Sequence, residues 1–226
     1  MKVYNKTLKG RNLAWLVATL VLDVLVLLAI AFNTAVDDLT LTKIAVIRAS
    51  LTTLLPIPAL ILSSLISSEH KAILVFWRFQ HPLPGARAFS VHAPADPRID
   101  MEKLRKNVGE FPATERDQNS KWYGLYRQVD LDPSVVDSHK NYLLFRDISV
   151  MSLLLVPTLP LVMHFSGIDS TGILASAAWF LGQYLVTAFA VRTTGIRFVQ
   201  NVLAIHGSSK VTRVKPMPLK ATLNEK

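Results

Sequence analysis

Apolar residues fall into four blocks along the 226-residue chain, at 13–33, 44–66, 148–165 and 172–191. As helices rising about 1.5 Å per residue they would each reach roughly 27–35 Å, close to the ~30 Å hydrocarbon core of a bilayer. This pattern predicts an all-α membrane protein with four transmembrane helices in two hairpins. A helical cytoplasmic cap is inserted between helices 2 and 3. The expected organisation is a first hairpin over 1–66, an insert over 67–147, a second hairpin over 148–191 and a basic tail over 192–226. Lys2, Lys6, Lys9 and Arg11 precede the first block, and Ala29-Ile30-Ala31 resembles a signal-peptidase site. The apolar run is longer than the usual signal core, so a retained helix is expected.

Between the blocks the polar pattern predicts a folded insert. Ser67 to Phe79 continues the second helix beyond the bilayer until Pro82 stops it, and Gly85 turns the chain. Asp100 and Gly109 bracket a short helix carrying Met101, Leu104 and Val108. Thr114 and Asp117 open a second, with Trp122, Tyr123, Leu125 and Tyr126. Asp132 followed by Pro133 at the first helical position opens a third, which meets no breaker before the membrane. Pro56 and Pro58 in the second apolar block, and Pro157 and Pro160 in the third, mark expected kinks that could serve gating.

Charge orients this arrangement. The N-terminal segment holds four Lys/Arg and no acid, residues 67–147 hold 12 against 11, and residues from 192 hold seven against one. The two remaining connections are short and acidic. By the positive-inside rule both termini and the insert are cytoplasmic, and that side carries a net charge of +11. Such a field attracts anionic lipid first, and nucleotides or oligonucleotides as well. The chain has no cysteine, which excludes thiol catalysis and disulfides.

Within the membrane, Asp23 stands mid-span in the first helix, where a carboxylate must face protein or water. Asn12, Thr19, Asp23 and Thr34 share a face of that helix; Ser176, Gln183, Thr187 and Thr194 share a face of the fourth. Antiparallel helices would bring Asp23 and Gln183 to similar depth. The two stripes line an aqueous path between copies, or else hydrogen-bond as packing glue. Ala178 and Gly182 offer a close-contact face. Arg48 is expected to snorkel to the outer headgroups, with a reach to Asp23 as the alternative, and His164 to sit at the outer interface.

On the cytoplasmic side Arg78, His81, Arg87, Arg98 and Arg127, interleaved with Trp77, Phe79, Phe89, Trp122, Tyr123 and Tyr126, form the mixture that grips phosphates and stacks bases. The alternative places Trp77 and Phe79 as interfacial anchors, Arg78 on lipid headgroups and the other aromatics in the insert's core. No enzyme is expected: no phosphate-binding loop, G-x-S-x-G or H-E-x-x-H occurs, and the histidines are too dispersed for a metal pair. Neither a cofactor nor a metal is expected. Arg87 to His92 matches the R-x(4)-H of HEPN ribonucleases, but Gly85 and Pro94 crowd it, so no ribonuclease is expected.

In its four spans, basic cytoplasmic portion and size, the chain resembles the small membrane effectors of bacterial anti-phage defence, the four-span CBASS effectors and the channel-type Hailong effector. The resemblance implies a bacterial inner-membrane channel or pore, homo-oligomeric, gated from the cytoplasm by a nucleotide, a single-stranded oligonucleotide or a protein partner. The alternative is a non-conducting anchor or sensor that recruits a cytosolic partner.

Overall fold

The structure, a computed structural model, describes residues 8–34, 61, 65–165 and 168–209, with first-helix side chains described from Asn12 to Ile30. The second apolar block with Arg48, Pro56 and Pro58, and the tail after Ser209, lie outside the described residues. Every regular element among them is helical: α1 (Leu8–Thr34), α2 (Ser68–Phe76), α3 (Met101–Val108), α4 (Glu115–Tyr126), α5 (Pro133–Phe165) and α6 (Ser170–Ser208). A 3-10 turn at Pro84–Arg87 and a π turn at Ala88–His92 link α2 to the loop before α3.

Three of these helices are long and apolar enough to cross a membrane: α1 over Asn12–Ile30, α5 and α6. With 33 and 39 residues, α5 and α6 extend about 50 and 58 Å, well past a ~30 Å hydrocarbon core. Both therefore serve two environments. Their apolar ends pack with α1 around Leu27, Met151, Leu155, Leu159, Met163 and Phe180, all buried. Their other ends join α2, α3, α4 and the two turns in a second core of Val75, Phe89, Leu104, Trp122, Val135, Tyr142, Phe198 and Leu203. Residues 192–208, expected to open a basic tail, are thus the last turns of α6. They place Phe198, Val199, Val202 and Leu203 at the centre of that second core.

The capping chemistry agrees with the sequence at three helices. The Asp100 carboxylate accepts from the Glu102 and Lys103 amides, and Gly109 ends α3 at φ 79°. Thr114 accepts from the Asp117 amide at the start of α4. Pro133 opens α5, which runs on through Pro157 and Pro160 without interruption. At α2 the expectation of one helix continuing out of the membrane to Pro82 is corrected. Ser67 caps a new helix by accepting from the His70 amide, and that helix ends at Phe76 because Trp77 turns left-handed at φ 55°.

Left-handed backbone at a non-glycine residue is unfavourable, so neighbours must hold it. Here they come from α6. Tyr184 donates its hydroxyl to the Leu74 carbonyl at 2.7 Å and accepts from Trp77 Nε1 at 2.7 Å. Arg192 Nε donates to the Val75 carbonyl at 2.8 Å, and its guanidinium lies 3.6 Å from the Trp77 ring centroid. These contacts satisfy the open carbonyls at the end of α2. Tyr184→Phe, which orphans Trp77 Nε1 and the Leu74 carbonyl, is expected to destabilise by about 1–3 kcal/mol, read from the unfolding midpoint in mild detergent.

Candidate functional site

Of the polar residues expected within the membrane, Asp23 is wholly buried, between α1 and α6. Trp179 Nε1 donates to its Oδ1 at 3.3 Å, and Gln183, one turn further along α6, faces the same carboxyl. Asp23 Oδ2 and Gln183 Oε1 have no hydrogen-bond partner among the described residues. Thr34's side chain lies outside the described residues, and four other stripe residues turn back on their own helices. Thr19 donates to the Trp15 carbonyl, Ser176 to Ile173, Thr187 to Gln183 and Thr194 to Ala190. Asn12 instead reaches α5, donating to the Lys140 carbonyl at 2.8 Å. The structure therefore brings Asp23 and Gln183 together, while Trp179 joins them unanticipated by the sequence reading. Its indole sits four residues before Gln183, the helical spacing that would have marked it.

Three of the five cationic residues expected to grip phosphate are engaged inside the chain. Arg78 makes a two-pronged contact with Glu115, 2.9 Å to each oxygen. Arg98 clasps Asp96 through Nε and Nη2, at 2.7 Å for the shortest contact, and also donates to Asn201. Arg127 stands 3.9 Å from Asp130. Arg87 is half-buried and His81 is exposed, at φ 46°. Among the aromatics, Trp122 and Phe89 are core residues, stacked on Tyr126 and Phe111. Trp77 and Phe79 stay exposed.

Two recesses remain beside these pairs. An open groove of about 480 Å³ runs between the 95–98 loop, Ser134 at the start of α5, and Arg197, Gln200 and Asn201 on α6. Arg197 is exposed there, and Arg98 keeps part of its guanidinium in solvent. The Arg98 hydrogen bonds hold the Asp96 carboxyl below the usual carboxylate range, so the pair persists at neutral pH. The second recess, about 270 Å³, lies where α1, α2 and α5 meet and contains Asn12, Ser68, Lys71, Arg146 and Asp147. Lys71 Nζ lies 2.7 Å from Asp147 Oδ1, with both side chains buried. Arg146 reaches the same oxygen at 3.3 Å. The sequence reading missed this cluster, whose ion pair spans 76 positions.

The turn at Ala88–His92 is pinned by Gln118, whose Oε1 accepts from the Phe89 amide, the Ser90 amide and the Ser90 hydroxyl. Arg87 and His92 lie on these short turns, with His92 buried and its carbonyl bonded to Gln200. Burial pushes the His92 imidazole down to about 4, and the charges of Arg87 and Arg78 add to the effect. An unfolded histidine titrates near 6.5, so the neutral buried form stabilises the fold fully above about 6.5. That contribution, on the order of 3 kcal/mol, drains away as the pH falls towards 4. Hydrogen exchange of the 84–98 backbone, normalised to its intrinsic rate at each pH, is expected to accelerate across that window, and His92→Gln to flatten the acceleration.

No cluster of three or more metal-ligating side chains occurs among the described residues. Comparison with known protein families, with curated proteins and with solved structures yields no match to this chain.

Proposed function

We propose that this chain is a membrane-anchored receptor: its long helices hold it in the bilayer, and its insert, on the cytoplasmic side, takes an anionic ligand in the Arg98–Arg197 groove. The carrying observation is the shared core. The insert packs on the outer turns of α5 and α6, with Phe198, Val199, Val202 and Leu203 buried in it, so it behaves as one body with the helices below. Groove chemistry supports a ligand bearing phosphates, of the nucleotide or single-stranded oligonucleotide class, because two guanidinium groups line it, Arg197 exposed and Arg98 partly so. Both termini lie on the same basic side by the charge rule, and the membrane is a bacterial inner membrane by the resemblance to defence effectors.

The test is binding of a fluorescent single-stranded oligonucleotide to the detergent-purified chain. Arg197→Glu is expected to weaken it at least tenfold and to reduce its salt dependence, because phosphate contacts dominate such affinities. Unchanged affinity in Arg197→Glu would reject the groove.

A second reading, a homo-oligomeric pore gated from the cytoplasm, is favoured by Asp23. A carboxyl group with one unpartnered oxygen among the described residues is unusual at membrane depth, and such residues commonly mark ion paths. The described interior of the protomer is filled by Met151, Leu155, Leu159, Met163 and Phe180, so conduction would run between copies. Ligand-dependent ion flux in proteoliposomes, abolished by Asp23→Leu, would support the pore. Flux that is absent at every ligand concentration leaves the receptor as a non-conducting anchor.

A further inference from the structure

The recess at the junction of α1, α2 and α5 sits at a particular depth. Ser149 on α5 hydrogen-bonds the Tyr184 carbonyl on α6, which sets the two helices in register. The exposed apolar face of α6 runs through Leu181, Leu185, Val186 and Phe189 and ends at Arg192 under Trp77. On α1, the exposed apolar surface begins with Leu13 and Trp15, just after Asn12. Tryptophan and arginine at this transition mark the headgroup layer. Arg146, Asp147 and Lys71 lie in the same layer, inside the recess.

Charge and geometry there leave room for an anion. Lys71 takes Asp147 Oδ1 at 2.7 Å, and Arg146 is left with 3.3–3.4 Å contacts to that already occupied oxygen. Its side chain is 11% exposed and its guanidinium lies 5.7 Å from the Tyr142 ring. A fork of donors that buried normally holds an oxyanion by two short bonds, and here it holds none at that distance. Asn12 Oδ1, buried on the α1 side of the recess, has no partner among the described residues and needs a donor.

We propose that this recess binds a phosphate ester, Arg146 donating to the phosphate oxygens beside Lys71, and Asn12 Oδ1 accepting from a hydroxyl or amine of the same headgroup. Ser68 forms the exposed rim through which the ester arrives. The source is an anionic phospholipid, reached sideways from the bilayer, or a soluble phosphate ester from the aqueous side. This site is separate from the groove of the receptor reading and rests only on the long helices lying in a membrane.

The experiment measures the unfolding midpoint of the full chain in mild detergent, with native mass spectrometry for retained lipid, on adding phosphatidylglycerol, phosphatidylcholine or glycerol 3-phosphate. Wild type is expected to retain phosphatidylglycerol and gain stability from it, and to gain little from phosphatidylcholine. Arg146→Gln should weaken this about tenfold, as should Ser68→Glu, which leaves the Lys71–Asp147 pair intact and adds a competing carboxylate at the rim. Stabilisation by glycerol 3-phosphate but not by phosphatidylglycerol, lost in both variants, assigns the same site to a soluble ester. Equal phosphatidylglycerol retention by wild type and both folded variants, or stabilisation by neither ester, overturns the proposal. Oligonucleotide binding at the groove, measured on the same samples, reports on the receptor reading independently.

Discussion

Asp147→Ala is expected to destabilise the protein by about 3–5 kcal/mol, because it strips two buried cations of the one carboxylate they share. The penalty comes from what remains. Lys71 and Arg146 would stay out of water with no counter-charge from Asp147, and the field of each raises the energy of the other. Because α2 meets α5 through this pair, the first segment to release should be α2 with the turns that follow it. Trypsin cleavage after Arg78 and Arg87 in mild detergent should therefore outpace cleavage elsewhere. The triple replacement Lys71→Met/Arg146→Met/Asp147→Leu removes all three charges at similar volume, and should recover most of the loss. If the triple variant is as unstable as Asp147→Ala, lost packing rather than unpaired charge explains the effect.

Gly85→Ala is expected to be the most damaging methyl addition in the insert. A Cβ there would lie 2.5 Å from Cε3 of Trp122 and 2.6 Å from Oδ1 of Asn119. The indole cannot retreat freely, since Trp122 stacks on Tyr126 and meets Phe198 edge-on at 5.0 Å between centroids. Overpacking of this kind costs about 1–3 kcal/mol, and a ring held on two sides puts Gly85 towards the upper figure. Gly124→Ala supplies the contrast. It lies inside α4 with nothing within 4 Å of an added Cβ, so the methyl should be neutral or stabilise by up to about 1 kcal/mol through helix propensity. Thermal midpoints of the two variants, both in the insert and both glycine to alanine, separate backbone approach from propensity.

What could be read in advance divides along the range of the interactions. The starts of α3, α4 and α5 follow from Asp100, Thr114 and Pro133, because a cap acts within three residues of itself and its chemistry is visible in the local string. The apolar blocks were equally legible where the structure describes them, since length against bilayer thickness is a one-dimensional test. The break at Ser67 was local too, yet an apolar run on both sides hid it. What could not be read was pairing at a distance. Arg78 looked available for phosphate because Glu115 lies 37 positions away, and the left-handed Trp77 depends on Tyr184 and Arg192, more than 100 positions further on. Composition records how many charges exist and leaves open which of them are already spoken for. Lys71, Arg146 and Asp147 attracted no notice for the same reason, each being an ordinary boundary charge until the fold places them together.

The unbroken run of α5 and α6 through both cores has a mechanical consequence. From Asp147 to Pro133, α5 projects about 21 Å beyond the level of the ion pair, and α6 packs directly alongside it with the insert against their side. Two parallel rods joined along their length resist bending far better than one, so a force at the groove acts on the bundle as a torque about the headgroup layer rather than as a local dent. A tilt of about 10° would swing the groove by roughly 4 Å while shifting side chains near that fulcrum by a fraction as much, given helices of this rise. Lever geometry of this sort converts a large, soft displacement at the groove into a small, forceful one beside the Lys71–Asp147 pair, and works equally in reverse.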